Sequence, residues 1–384
     1  MVRRLDKVGW RRIILGFGPS WFVMTMGTGV VAILLSVIPF QARWLYYLSI
    51  IVFLLNVVLF VLASLLTVLR YAMYPRAWAL MMHNPVDLLY LATLPIGFAT
   101  LIEMWVFICV PAWGYWATIL AWVLWMIDTA VSVVTTLFVT FQLICQPHTD
   151  SLDKITAVQI IPIAATIVAA GVGAEISGDL SSITHTRGTI ITSYVLWSLG
   201  MSMALMILAI YYHRLILHQL PPKELTMSCF LTLGPVGFGG FGIMYLGKVS
   251  LTAFDATNSF YPLAGEISYV MGLIVALGLW GFGLLWLVIA FATILKSYPI
   301  PFNMSWWATT FPFGVFCINT IQIGKELESM FFKVLGTVLS VIVVCFWMVT
   351  FAGTIREVWH GHVFHVPYLD ELLLEDRNSD RLEE

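Results

Sequence analysis

Of the 384 residues, 60% are hydrophobic and only 10% are charged, and the mean hydropathy is +0.93. A soluble domain carries charge on about a quarter of its residues, so most of these side chains must be solvated by lipid. The net charge of −2 conceals a lopsided distribution of basic groups along the chain.

The N-terminal stretch 1–18 is basic, with Arg3, Arg4, Lys7, Arg11 and Arg12. No short apolar core with a small-residue cleavage site follows it, so the first apolar segment is expected to remain as a membrane span. Runs long enough to cross a bilayer then fall at about 19–39, 45–70, 86–109, 113–145, 155–177, 189–217, 223–249, 263–295, 302–324 and 329–358. The loops between them are short, so 19–359 reads as one ten-helix transmembrane domain. An acidic tail, 360–384, closes the chain with Asp370, Glu371, Glu375, Asp376, Asp380, Glu383 and Glu384. With ten spans, 14 of the 19 lysines and arginines share the side of the N-terminus and 5 face the other. The positive-inside rule then puts both termini in the cytoplasm of a multi-pass plasma-membrane protein. Cys109, Cys145, Cys229, Cys317 and Cys345 are scattered, and no disulfide is expected.

Proline punctuates the spans. Pro19, Pro95, Pro162, Pro235 and Pro312 fall in the odd-numbered spans at intervals of 67 to 77 residues, and the even spans have none in their interiors. That period is two membrane helices with their loops, so the chain reads as five helical hairpins in tandem. Proline inside a helix removes a backbone bond and kinks it, and freed carbonyls must then face protein or a polar cavity. The expectation is an inner ring of five proline-kinked helices around a central path, with five straight helices facing lipid. The plainer alternative is that membrane helices simply tolerate proline.

Thirteen residues beyond these prolines stand Ala32, Ile108, Glu175, Lys248 and Lys325. A helical rise of about 20 Å would collect Glu175, Lys248 and Lys325 as charges at the outer mouth of the ring, unless they are ordinary loop ends. Two further carboxylates lie inside spans. Asp128, on an even helix, fits a structural hydrogen bond across helices. Glu103, eight residues past Pro95, is the candidate for a proton-linked group.

The seventh span runs Leu233-Gly234-Pro235-Val236-Gly237-Phe238-Gly239-Gly240-Phe241-Gly242, and the first contains Met26-Gly27-Thr28-Gly29. Such stretches either bring helices close or unwind to present backbone amides to an anion. Gly27, Thr28, Gly29, Gly237, Gly239 and Gly240 are therefore candidate lining residues, with packing as their other use. The histidines His360, His362 and His365 lack acidic or thiol partners at metal-ligand spacing. No G-x-x-x-x-G-K-[ST] loop for ATP is present. Neither a metal, a cofactor, an enzymatic activity nor a nucleic-acid partner is expected; small inorganic or organic anions and the lipid bilayer are.

Pro19-Ser20-Trp21-Phe22, Met26-Gly27-Thr28-Gly29 and Trp306-Trp307-Ala308-Thr309-Thr310-Phe311-Pro312 resemble the tellurite-resistance and dicarboxylate transporter superfamily, which includes the plant slow anion channels. The resemblance covers nearly the whole chain. It implies ten spans, five kinked inner helices around an anion pore, a homotrimer, and a pore-occluding phenylalanine at Phe311. The chain is similar to the fungal sulfite efflux branch at Gln41-Ala42-Arg43-Trp44-Leu45, at Val123-Leu124-Trp125 with Asp128, at Leu220-Pro221-Pro222 and at Phe332-Lys333-Val334-Leu335-Gly336-Thr337. That branch implies export of sulfite or bisulfite. Phe238 departs from the glutamine expected there, and Lys325 is shared with the malic acid permease branch. The alternatives are thus a malate or C4-dicarboxylate permease, or a gated anion channel of the same fold.

Overall fold

The computed structural model describes residues 10–145, 152–257 and 261–361. The expected acidic tail from 362 on, His362, His365 and residues 1–9 lie outside the described residues. Thirteen α-helices follow in chain order among those described: α1 (Trp10–Gly16), α2 (Phe22–Val37), α3 (Arg43–Met73), α4 (Pro75–His83), α5 (Pro85–Leu89), α6 (Thr93–Trp113), α7 (Tyr115–Cys145), α8 (Ile161–Asp179), α9 (Ile183–His218), α10 (Leu233–Thr257), α11 (Ala264–Ser297), α12 (Thr310–Glu326) and α13 (Met330–His360).

Nine of the described helical segments are long and apolar enough to cross a membrane. The expected ninth span is shorter. Its α-helix, α12, has 17 residues and is preceded by a 3₁₀ turn at Met304–Ala308.

Burial alternates strictly. In the most apolar stretch of the first, third, fifth and seventh spans, 83, 61, 94 and 94% of residues are buried. In the second, fourth, sixth, eighth and last, the share is 22 to 33%. α12 follows the odd pattern, being buried from Thr310 to Gly324. The sequence explains the division. α8 (IPIAATIVAAGVGAEISGD) is small-residue-rich on every face, so neighbours can approach it all round. α3 and α13 instead point leucine, valine and phenylalanine outward, as lipid solvation requires. Each buried helix packs on the exposed helix that follows it in sequence. The buried helices also touch one another in a closed circuit, α2 to α6, α6 to α8, α8 to α10, α10 to α12, and α12 back to α2.

The prolines have a different local role from a mid-helix kink. Pro95, Pro235 and Pro312 are the third residues of α6, α10 and α12, Pro162 is the second of α8, and Pro19 opens the 3₁₀ turn ahead of α2. Each of these five α-helices is preceded by a 3₁₀ segment. In the first turn of an α-helix the missing N–H is an orphan in any case. The prolines therefore mark where each buried span changes from 3₁₀ to α.

Polar bonds tie each exposed helix to the next buried one. Trp125 Nε1 of α7 donates to the Ala169 carbonyl of α8 at 2.7 Å, and Trp197 of α9 to the Gly239 carbonyl of α10 at 2.7 Å. Trp280 of α11 reaches Thr320 Oγ1 of α12 at 2.9 Å, and Trp347 of α13 reaches Thr28 Oγ1 of α2 at 3.2 Å. The amide of Asn56 in α3 fills the same role toward Thr100 of α6 at 3.3 Å. An indole N–H facing lipid would have no acceptor, so these donors turn inward and fix the rotation of the outer helices.

Candidate functional site

Two cavities lie along the axis of the buried helices, and the same five spans line both. The narrow one, about 40 Å³, sits at the helix beginnings between Val23 and Met26 of the first span, Tyr90 of the third, Ile161 of the fifth, Leu231 of the seventh and Phe311 of the ninth. The wide one, about 240 Å³, sits at the helix ends. There Ile33 and Val37 come from α2, Glu103 and Phe107 from α6, Glu175 from α8, Phe241, Tyr245 and Lys248 from α10, and Ile318, Gln322 and Lys325 from α12. All five helices thus run in the same direction. Along α12 the step from Phe311 to Ile318 is about 10 Å.

Phe311 is the second residue of α12 and is 3% exposed. The helix begins only at Thr310, because the 3₁₀ turn before it is held by Asn303, whose Oδ1 accepts from the Ser305 amide at 2.9 Å. Asn303 Nδ2 and Ser305 Oγ both reach the Glu224 carbonyl, at 3.0 and 2.7 Å. The entry turns of the seventh and ninth spans are thereby fastened together beneath the ring.

The charged residues converge at the other end. Glu103, Glu175, Lys248 and Lys325 all line the wide cavity. Ala32 and Ile108, the apolar members of the thirteen-residue series, do not; Ala32 is fully buried. Glu175 also differs from a solvated mouth charge, since it is 3% exposed. The two lysines are unlike each other. Lys248 Nζ donates to Glu326 Oε1 at 2.7 Å, where Gln322 Nε2 also donates at 2.8 Å, while Tyr269 of α11 donates to Glu326 Oε2 at 3.0 Å. Glu326 is therefore fully engaged and Lys248 is neutralised. Lys325 makes no such ion pair and lines the cavity near Glu175 and Glu326. No local pattern marks the pairing of Lys248, because 78 residues separate it from Glu326.

Of the glycine candidates, none of Gly27, Gly29, Gly237, Gly239 or Gly240 lines either of these two cavities. A Cβ on Gly237 would stand 2.6 Å from the Phe316 amide nitrogen, one on Gly27 would overlap the Thr310 hydroxyl, and one on Gly29 the Thr100 hydroxyl. Gly239 lies against Met201 and Gly240 against Asn319. α10 is a continuous helix from Leu233. The glycines let helices approach closely, the packing alternative, and Thr28 spends its oxygen on Trp347. Asp128 is buried on the face of α7 that carries Trp125 and Thr136, both bonded to α8. Its Oδ1 has no hydrogen-bond partner, so that oxygen does not make the expected bond across helices.

Residues 16–355 match the model of the voltage-dependent anion channel family. The chain belongs to that family. It is also 45% identical to a sulfite efflux pump of Arthroderma benhamiae, over 90% of this chain and 91% of the relative. A sulfite efflux pump of Candida albicans is 28% identical over 85% of this chain and 71% of the relative. The malic acid transport protein of Schizosaccharomyces pombe is 25% identical over 86% and 75%. The voltage-dependent anion channel match spans both cavities, and the resemblance to the sulfite efflux branch holds across nearly the full length. The protein is a multi-pass membrane protein that transports anions.

Proposed function

We propose that this chain exports sulfite or bisulfite across the plasma membrane through a central pore gated by Phe311. In this reading ten membrane helices form five tandem hairpins, with α12 and its 3₁₀ turn as the ninth span. The five buried helices are the inner ring. The observation that carries the reading is the pair of coaxial cavities lined by one set of five helices, narrow where Phe311 stands and wide where Lys325 stands. The space of about 40 Å³ beside Phe311 is lined mainly by apolar side chains, which disfavours water there, and a hydrated anion crosses a dewetted constriction only at high cost. Lys325 at the rim of the wide cavity raises the local concentration of anions.

The lysine and arginine asymmetry supports an orientation with both termini and the Phe311 end in the cytoplasm and the wide cavity outside. An inside-negative potential then favours anion exit by ~2.3 kcal/mol per charge per 100 mV, so efflux needs no second energy source. Glu103 remains the candidate for a proton-linked group. The homotrimer rests on the resemblance alone. A dicarboxylate substrate is the second reading, favoured by Lys325 in a cavity of about 240 Å³. Flux of sulfite, malate and chloride into proteoliposomes, measured side by side, tests the assignment. Sulfite should lead; malate ahead of sulfite would move the protein to the dicarboxylate reading, and no flux of any of the three would end the transport mechanism described.

A further inference from the structure

The wide cavity holds a feature that anion attraction does not use. Glu103 and Glu175 are 1% and 3% exposed, yet both face this space from neighbouring helices, α6 and α8. Glu103 Oε1 and Glu175 Oε2 have no hydrogen-bond partner, and the two carboxyl groups are electrostatic neighbours. The ionisable groups around them are Asp179 on α8, Tyr245 on α10 and Lys325 on α12. Lys248 is taken by Glu326, and α2 presents only Ile33 and Val37. Glu103 and Glu175 therefore each bring to this cavity a buried carboxyl group with one unpartnered oxygen, and Lys325 stands beside them at the rim.

A carboxyl oxygen removed from water needs a donor, and Lys325 needs anion oxygens. One small ligand meets both demands if it is an oxyanion that still carries an O–H. Resting on the anion-path reading, we propose that Glu103 and Glu175 make the wide cavity a binding station selective for hydrogen-bearing monoanions such as hydrogen sulfite. A dianion is repelled by the carboxyl pair about twice as strongly as a monoanion, a cost that an O–H donated to a carboxyl oxygen offsets, and nitrate or chloride offers no donor to it. No bond is made or broken in the ligand, which leaves as it entered. A site that hydrogen-bonds a ligand O–H rejects analogues lacking it far more strongly than an apolar pocket can.

The test uses the full chain in proteoliposomes at one mildly acidic pH where hydrogen sulfite predominates, with protein-free vesicles as background. The wild type should carry hydrogen sulfite at least about tenfold faster than nitrate. The double variant E103Q/E175Q should bring that ratio to within a few-fold of unity, through loss of hydrogen sulfite flux with nitrate flux retained. E175Q alone should give an intermediate ratio and guards against a double variant that fails to fold. A thermal-shift titration in detergent with the same two anions reads binding without transport and should show the same loss of preference. An unchanged ratio with nitrate flux intact overturns this inference alone. Absence of flux for every anion in the wild type overturns the anion path, and this station with it.

Discussion

The two ends of the inner helices are made from the same five segments, yet one is narrow and mostly apolar while the other is wide and charged. At the beginnings, Val23, Met26, Ile161, Leu231 and Phe311 surround about 40 Å³. At the ends, two buried carboxyls and Lys325 surround about 240 Å³. On the proposed function, the difference assigns resistance to the narrow end and selectivity to the wide one. Proline and 3₁₀ turns stand at the helix beginnings, where apolar side chains fill most of the space. At the ends, polar groups are held away from lipid.

If resistance is concentrated at the narrow end, Phe311→Ala should have the largest effect. Current per molecule should rise by about tenfold for each ~1.4 kcal/mol of dewetting barrier removed. Should Phe311 only pack between helices, the cavity left behind would cost ~3–5 kcal/mol and lower the yield. Surface abundance and current measured in the same cells separate the two, and reduced abundance without a gain in current per molecule would sink the gate.

The close-packed middle should answer to mutation in the opposite way. Gly237→Ala places a carbon 2.6 Å from the Phe316 backbone and should cost ~1–3 kcal/mol of stability, seen as a lower thermal midpoint in detergent. Molecules that still reach the membrane should conduct normally. Gly278→Ala, with nothing within 4 Å, should change neither quantity. Altered anion selectivity in Gly237→Ala would return the glycines to the pore wall.

At the wide end the lysines should separate. Lys325→Gln should reduce anion flux a few-fold at low ionic strength, with the loss shrinking as salt screens the mouth. Lys248→Gln should do less, because Glu326 already neutralises Lys248. Equal losses, or losses insensitive to salt, would contradict the distinction drawn between them.

The smallest effect concerns which end faces the cell. Asn303-Met304-Ser305 is a glycosylation sequon beside the narrow cavity, and it should stay unmodified in a secretory-pathway host. A glycan on Asn303 would leave the two cavities as they are but exchange their sides.

Hydropathy alone fixed an all-helical membrane protein, because a bilayer admits few other solutions for so apolar a chain. The proline period marked which spans belong inside, since a residue lacking an N–H is placed where neighbours supply the packing. It misjudged their local use, because a period reports position along the chain and not the turn of helix in which each proline falls. Counting from those prolines picked out Glu175, Lys248 and Lys325, and the carboxylate inside the third span picked out Glu103. Only the tertiary structure put all four around one space, because α6, α8, α10 and α12 are brought together by packing that no local pattern encodes. It also decided what each charge is worth. Lys248 is silenced by a glutamate 78 residues away in sequence, whereas Glu103 and Glu175 keep oxygens without a partner. The glycines show the same limit. Composition says that a helix can be approached closely, and only the neighbour's position says whether the visitor is another helix or an anion.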